Sequence, residues 1–185
     1  TVESYSIGKD LTSIENLDIK STYYLKTITV SSDNEHYTVR EGALYDKEMT
    51  ELIMYPRKAS DRTSLTIPEG VEIIRESAVS NKNLVTVNIP SSLRIIEDKA
   101  FAWASKLESL TLPEGLECIG YQSFAGTSNL KNLNIPQSVH TIAHYAFDFA
   151  GIEGTVVLPE GMTEIPRGLF AYTKNLHTVI LPSTL

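Results

Sequence analysis

Apolar positions recur along most of this chain at a fixed interval and in fixed company. A bulky aliphatic residue precedes proline at Ile67-Pro68, Ile89-Pro90, Leu112-Pro113, Ile135-Pro136, Leu158-Pro159 and Leu181-Pro182, in steps of 22, 23, 23, 23 and 23 residues. A period of this length marks a solenoid, in which one unit is too small to bury its own apolar face and buries it against its neighbours. Upstream of the prolines the units align as Leu84-x-x-Val87-x-Ile89, Leu107-x-x-Leu110-x-Leu112, Leu130-x-x-Leu133-x-Ile135 and Leu176-x-x-Val179-x-Leu181. The last two apolar positions alternate as in a short strand with one face inward. Proline ends that strand, because it lacks an N–H for the ladder and fixes its own φ. Glu69-Gly70, Ser91-Ser92, Glu114-Gly115, Gln137-Ser138 and Glu160-Gly161 then supply a tight turn.

After the turn come apolar pairs three residues apart: Val71 and Ile74, Leu93 and Ile96, Leu116 and Ile119, Val139 and Ile142, Met162 and Ile165. Five residues beyond each pair stands Val79, Phe101, Phe124, Phe147 or Phe170. Stacked at one position per coil, these columns predict a continuous apolar ladder along the solenoid axis.

The combined pattern L-x-x-V/L-x-I/L-P-x-x-V/L-x-x-I-x-x-x-A-F resembles the leucine-rich repeats of the BspA-like (treponemal type) family of bacterial surface proteins, with Ala100-Phe101 and Ala146-Phe147 nearest the motif. The resemblance covers residues 63 to 185 and departs from the pattern in places. Ser123 and Leu169 replace the motif alanine; Ala104, Thr127, Ala150 and Thr173 stand where the family often has cysteine; and the unit at Gly151–Val156 sets its first apolar residue back by one, a local bulge. The resemblance implies a leucine-rich-repeat solenoid, a right-handed β/α-type superhelix with short parallel strands on the concave face. Turns, short strands or 3-10 segments are expected on the convex face, and a small antiparallel β insert near the N-terminus.

That insert is read at residues 31–62. Tyr37–Arg40, a Glu41-Gly42 turn, Ala43–Tyr45 and Glu51–Pro56 have the alternation and turn types of antiparallel strands. Residues 1–30, with Ile14, Leu17 and Ile19, are expected to form an irregular coil or cap in which Leu25-x-x-Ile28-x-Val30 is a further strand. The repeats occupy 63–185 and stop one corner into a new coil, so the natural chain is expected to continue or this end to be covered by something else, since a solenoid needs a cap over its last apolar layer.

Composition narrows the functional classes. Sixteen basic against 23 acidic side chains leave a net charge of -7, which argues against a nucleic-acid partner, because neutralising phosphates needs clustered Lys and Arg. No apolar run reaches the roughly 18 residues of a membrane span. The single cysteine, Cys118, permits no intrachain disulfide and lacks a charged activator nearby. His140 and His144 stand four apart without a marked third metal ligand, and His144, Asp148 and Ser138 have the elements of a nucleophilic triad without a nucleophile turn. Asp33, Glu35, Asp46 and Glu48 lack the spacing of a calcium loop. No catalytic residue, metal or cofactor is therefore expected.

Two groups of residues remain as candidate binding sites. In a leucine-rich repeat the residues between the inward-facing ones point into the concavity, and here they include Thr86, Asn88, Ser109, Thr111, Asn132, Asn134 and Thr178, short hydroxyl and amide side chains. Thr and Ser also suit such a face simply through β-propensity. The second group is the column two residues after the ladder phenylalanine: Trp103, Gly126, Phe149 and Tyr172. Trp103 and Tyr172 are of the type that anchors interfaces, although aromatics also pack across neighbouring coils. The expected function is a non-catalytic interaction or adhesion module that binds a protein through the concave face. A carbohydrate-binding accessory domain using the aromatic row, or a structural spacer, is the alternative. The resemblance implies a bacterial cell-surface or secreted location and a host or extracellular-matrix protein as partner.

Overall fold

The computed structural model describes residues 2–14, 23–59 and 62–185. Leu17 and Ile19, read above as part of an N-terminal coil, lie outside the described residues. Near the N-terminus β1 (Ser4–Ile7) pairs in parallel with β2 (Thr27–Val30), the strand expected at Leu25–Val30. Strands β3 (Tyr37–Arg40), β4 (Ala43–Asp46) and β5 (Glu51–Met54) then form an antiparallel meander. Its first turn runs through Glu41 and Gly42, both at positive φ. Asp46 closes the second, accepting hydrogen bonds from the Thr50 hydroxyl at 2.6 Å and the Glu51 N–H at 2.7 Å.

From here the chain winds as a β-solenoid. The remaining strands in chain order are β6 (Ser64–Thr66), β7 (Ile73–Ile74), β8 (Thr86–Asn88), β9 (Ile95–Ile96), β10 (Cys118–Ile119), β11 (Thr141–Ile142), β12 (Gly154–Val157) and β13 (Leu176–Ile180). No helix occurs among the described residues, and so none is long and apolar enough to cross a membrane. Each coil has two strand positions, one before the proline corner and one after it.

The more regular sheet lies after the corner. There β5, β7, β9, β10 and β11 run in parallel register, Leu52↔Ile74↔Ile96↔Ile119↔Ile142, and β4 and β3 extend the same sheet to seven strands. The strand read as part of the insert thus also starts the repeat ladder. Before the corner the expected strands form only in part. β6 pairs with β8, a single bridge joins Thr86 to Ser109, and β12 pairs with β13. The segments Leu107–Leu112 and Leu130–Ile135 are not strands. For Leu130–Ile135 composition supplies a reason: the regular ladder is rich in isoleucine, whereas Asn132 and Asn134 put two poor strand formers into one short segment. The irregularity expected at Gly151–Val156 appears as a register shift between Gly154 and Thr155.

The core between these strand positions is the phenylalanine ladder. Phe101, Phe124 and Phe147 are fully buried, and successive rings stack at 5.1, 5.5 and 5.5 Å with interplanar angles of 6°, 12° and 14°, the last ring being half-buried Phe170. Ala100 and Ala146 sit beside the ladder with no exposure, and Ser123 takes the same position in the intervening coil. The corners are tied between coils by side chains: Glu69 accepts from the Ser91 N–H and hydroxyl, Glu160 accepts from the same groups of Ser183, and the Ser92 and Ser138 hydroxyls donate to Val71 O and Leu116 O.

Two positions per coil turn the chain through the left-handed region. One column is Ser77, Lys99, Gln122, Tyr145 and Gly168, with φ between 50° and 64°. The other is Trp103, Gly126, Phe149 and Tyr172, with φ of 62°, 72°, 53° and 56°. Glycine adopts this conformation without penalty and other residues do not. The two columns flank the ladder phenylalanine, so the same bends that hold Phe101 and its equivalents inward swing the second column to the surface.

Candidate functional site

The polar residues expected to form a docking face come together before the proline corners. Thr86, Asn88, Ser109 and Thr111 line one shallow depression of about 200 Å³. Thr111, Asn132 and Asn134 line an adjoining one of about 270 Å³ that Glu153 and Thr155 complete. Thr178 is exposed on β13, beside Thr155 of β12. Asn88, Ser109, Thr111, Asn132 and Asn134 are exposed, Thr86 is half-buried, and Asn88 donates to the Thr66 hydroxyl at 3.0 Å. Along the second depression the coils part. Backbone hydrogen bonds join Glu108 N–H to Val85 O and Glu153 N–H to Lys131 O, but none joins residues 108–113 to 131–136. Peptide groups on both sides of this seam are thus left to solvent or to a ligand, a feature that repeat-by-repeat alignment does not reveal.

The second candidate group lies on a different edge of the coil. Trp103, Phe149 and Tyr172 are 59%, 46% and 67% exposed. Phe149 and Tyr172 stack at 4.4 Å with an interplanar angle of 12°. Gly126, which interrupts the column in sequence, does not open a gap in space. A β-carbon there would lie 2.4 Å from Trp103 Cε3, so the indole occupies the room that a side chain at 126 would need. The Trp103 indole thus covers Gly126, and the stacked Phe149 and Tyr172 rings occupy the next two coils.

At the Trp103 end of this row is a small pocket of about 30 Å³ lined by Tyr23, Arg57, Lys58, Lys82 and Trp103. Ser80 and Arg57 stand 23 and 46 residues before Trp103. The Lys58 ammonium sits 4.6 Å from the centre of the Tyr23 ring, and Arg57 Nε is buried without a hydrogen-bond partner. Sequence reading missed this group because Tyr23 lies in the irregular N-terminal segment. The one available signal was that Arg57 stands two 23-residue steps before Trp103.

The residues weighed for chemistry are placed apart or otherwise engaged. His144 Nδ1 accepts the Arg167 N–H at 2.9 Å, whereas His140 Nδ1 lies 3.2 Å from the Thr141 hydroxyl. The Ser138 hydroxyl donates to Leu116 O, and Asp148 Oδ1 is buried with no partner, so no hydrogen bond links Ser138, His144 and Asp148. Burial raises the Asp148 carboxyl above the ordinary carboxylate range, against a smaller lowering from the Phe149 backbone hydrogen bond. Among the described residues no three His, Cys, Asp or Glu side chains are grouped to hold a metal ion. Cys118 is a free, half-buried thiol in the lining of a depression of about 420 Å³ on the post-corner face, where Gly120 and Ala143 leave space in the column that carries Arg75 and Glu97 in earlier coils.

Comparison with known proteins gives the following. The family model for the BspA type leucine rich repeat region matches residues 55–177, in six copies. A leucine rich cell surface protein from Faecalibacterium prausnitzii superposes with a TM-score of 0.75 at 30% identity, over 86% of this chain and 42% of its own. A leucine rich repeat protein from T. pallidum gives 0.68 at 27% identity, over 72% of this chain and 64% of its own. The pneumococcal vaccine antigen PcpA shares the fold with a TM-score of 0.78 at 24% identity, over 98% of this chain and 43% of its own. The chain thus spans less than half the length of two of these three. No curated protein sequence matches it.

Proposed function

The chain belongs to the BspA type leucine rich repeat family, and from that premise we propose that it is a non-catalytic interaction module of a bacterial surface or secreted protein, docking a protein partner through its concave face. We identify that face with the side carrying Thr86, Asn88, Ser109, Thr111, Asn132, Asn134 and Thr178. The observation that carries the reading is the seam between residues 108–113 and 131–136, where no backbone hydrogen bond joins the coils and the amides of Asn132 and Asn134 meet Thr111 around one depression. An extended partner segment laid across this seam gains hydrogen bonds from peptide groups as well as from side chains, the physical basis of strand-addition recognition. A host or extracellular-matrix protein is the partner this reading favours, and a cell-surface relative supports the location.

The test is a screen of the immobilised chain against extracellular-matrix proteins, repeated with Asn88→Lys, Thr111→Lys and Asn134→Lys combined. Binding should fall more than about tenfold, while stability stays within about 0.5 kcal/mol per substitution, as for exposed positions generally. Unaltered binding by the triple variant would rule out this face. A second reading rests on the exposed ridge of Trp103, Phe149 and Tyr172, which suits the stacking of sugar rings.

A further inference from the structure

The ridge and its terminal pocket form a composite surface whose two halves ask for different things of a ligand. In a chain of net charge -7, Arg57, Lys58 and Lys82 converge on one small cavity. Among the described residues, its lining contains no carboxylate and none of the three cations is ion-paired. Three cations converging in this way attract an anion, and Arg57 Nε, buried and without a hydrogen-bond partner, is a donor in need of an acceptor. The cavity, about 30 Å³, has room for one carboxylate-sized group and not for a ring. Whatever carries that anion must lie outside the pocket, against Trp103, from which the exposed rings continue to Phe149 and Tyr172. Two coils at the inter-strand spacing place Phe149 about 10 Å along the axis from Trp103, the reach of a disaccharide repeat.

We infer that this surface binds an acidic polysaccharide of the uronic-acid class, one carboxylate entering between Arg57, Lys58 and Lys82 while the C–H faces of the sugar rings lie along Trp103, Phe149 and Tyr172. The inference rests on the glycan reading of the ridge and adds the charge that the glycan must carry. An acidic peptide would satisfy the pocket but would leave the aromatic ridge without a use, since its carboxylates hang on flexible methylene chains and not on rings.

The experiment titrates the intact chain with oligomers of galacturonate, of mannuronate and of hyaluronan. Neutral maltooligosaccharides of equal length and polyglutamate serve as comparison arms. Trp103, the only tryptophan, reports directly on the site through its emission, and calorimetry run in parallel detects binding that leaves the emission unchanged. The expected result is saturable binding of a uronic-acid oligomer, weakened by added salt and by about tenfold or more in Lys82→Glu, where attraction becomes repulsion. The triple variant at Asn88, Thr111 and Asn134 should bind as the parent does. Equal binding of the neutral oligosaccharides overturns the acidic pocket while sustaining the ridge, and equal binding of polyglutamate overturns the glycan class. Absence of binding by both readouts overturns pocket and ridge together, and an unchanged affinity in Lys82→Glu removes the cations from the site.

Discussion

Phe124→Ala is the sharpest probe of what holds the coils together. The Phe124 ring has no solvent exposure and lies between two others, 5.1 Å from Phe101 and 5.5 Å from Phe147, almost parallel to both. Truncating a buried phenylalanine costs about 3–5 kcal/mol through lost transfer energy and the cavity left behind. Within that total, each aromatic stack contributes about 0.5–1.5 kcal/mol beyond its area, and Phe124 makes two. Phe124→Leu, which keeps most of the buried area and loses both stacks, should therefore cost about 1–3 kcal/mol. Phe170 supplies the internal control, since it is half-buried and stacks only on Phe147. Phe170→Ala should cost less than Phe124→Ala. The coils contact only their neighbours, so the central lesion also uncouples the two halves of the stack and should broaden the transition. Urea unfolding followed by both far-ultraviolet circular dichroism and Trp103 emission measures both effects, the latter reporting from beside the lesion, where the indole covers Gly126. A loss below about 2 kcal/mol in Phe124→Ala, under the usual range for such a site, or one equal to that of Phe170→Ala, would refute the ladder as the main axial tie.

Two further substitutions test polar groups that sit where neighbouring coils carry alanine. Asp148 occupies the column of Ala102, Ala125 and Ala171, and burial raises its carboxyl above the ordinary range. The folded chain therefore holds that proton more tightly than the unfolded one, a contribution to stability present at acid pH and lost as pH rises through the folded-state value. Asp148→Ala should accordingly stabilise by about 1 kcal/mol at neutral pH, and by less below the carboxylate range, as followed by thermal melts across pH. Ser123 stands in the column of Ala100 and Ala146 with its hydroxyl buried and unpaired. Removing such a group in Ser123→Ala should raise stability by about 1 kcal/mol, read as a higher urea midpoint at unchanged slope.

Much of this architecture was legible in the residue columns, because a solenoid repeats one local problem and solves it the same way in each coil. The buried aliphatic pairs, the stacked phenylalanines, the antiparallel meander at residues 37–54 and the irregularity near Gly154 all follow from spacing and turn chemistry. The seam before the proline corners was less legible. Leu130-x-x-Leu133-x-Ile135 satisfies the apolar pattern as well as Leu84-x-x-Val87-x-Ile89 does, yet only the latter makes a strand, since whether neighbouring strips pair depends on the residues between the apolar ones in both coils. Asn132 and Asn134 were visible from the start as surface residues, but their proximity to unpaired peptide groups was not.

The ridge shows the same division. Its members were named by the 23-residue step alone, since every residue two places after the ladder phenylalanine meets the same bend. That the indole of Trp103 fills the space over Gly126, and that Tyr23 closes a pocket with Arg57, Lys58 and Lys82, depended on side-chain direction and on a segment outside the repeat pattern. Periodicity in a sequence reports which residues occupy equivalent backbone environments. Contacts between coils depend on volumes and charges at two or more such environments at once, and those are decided only when the chain is wound and the coils lie side by side.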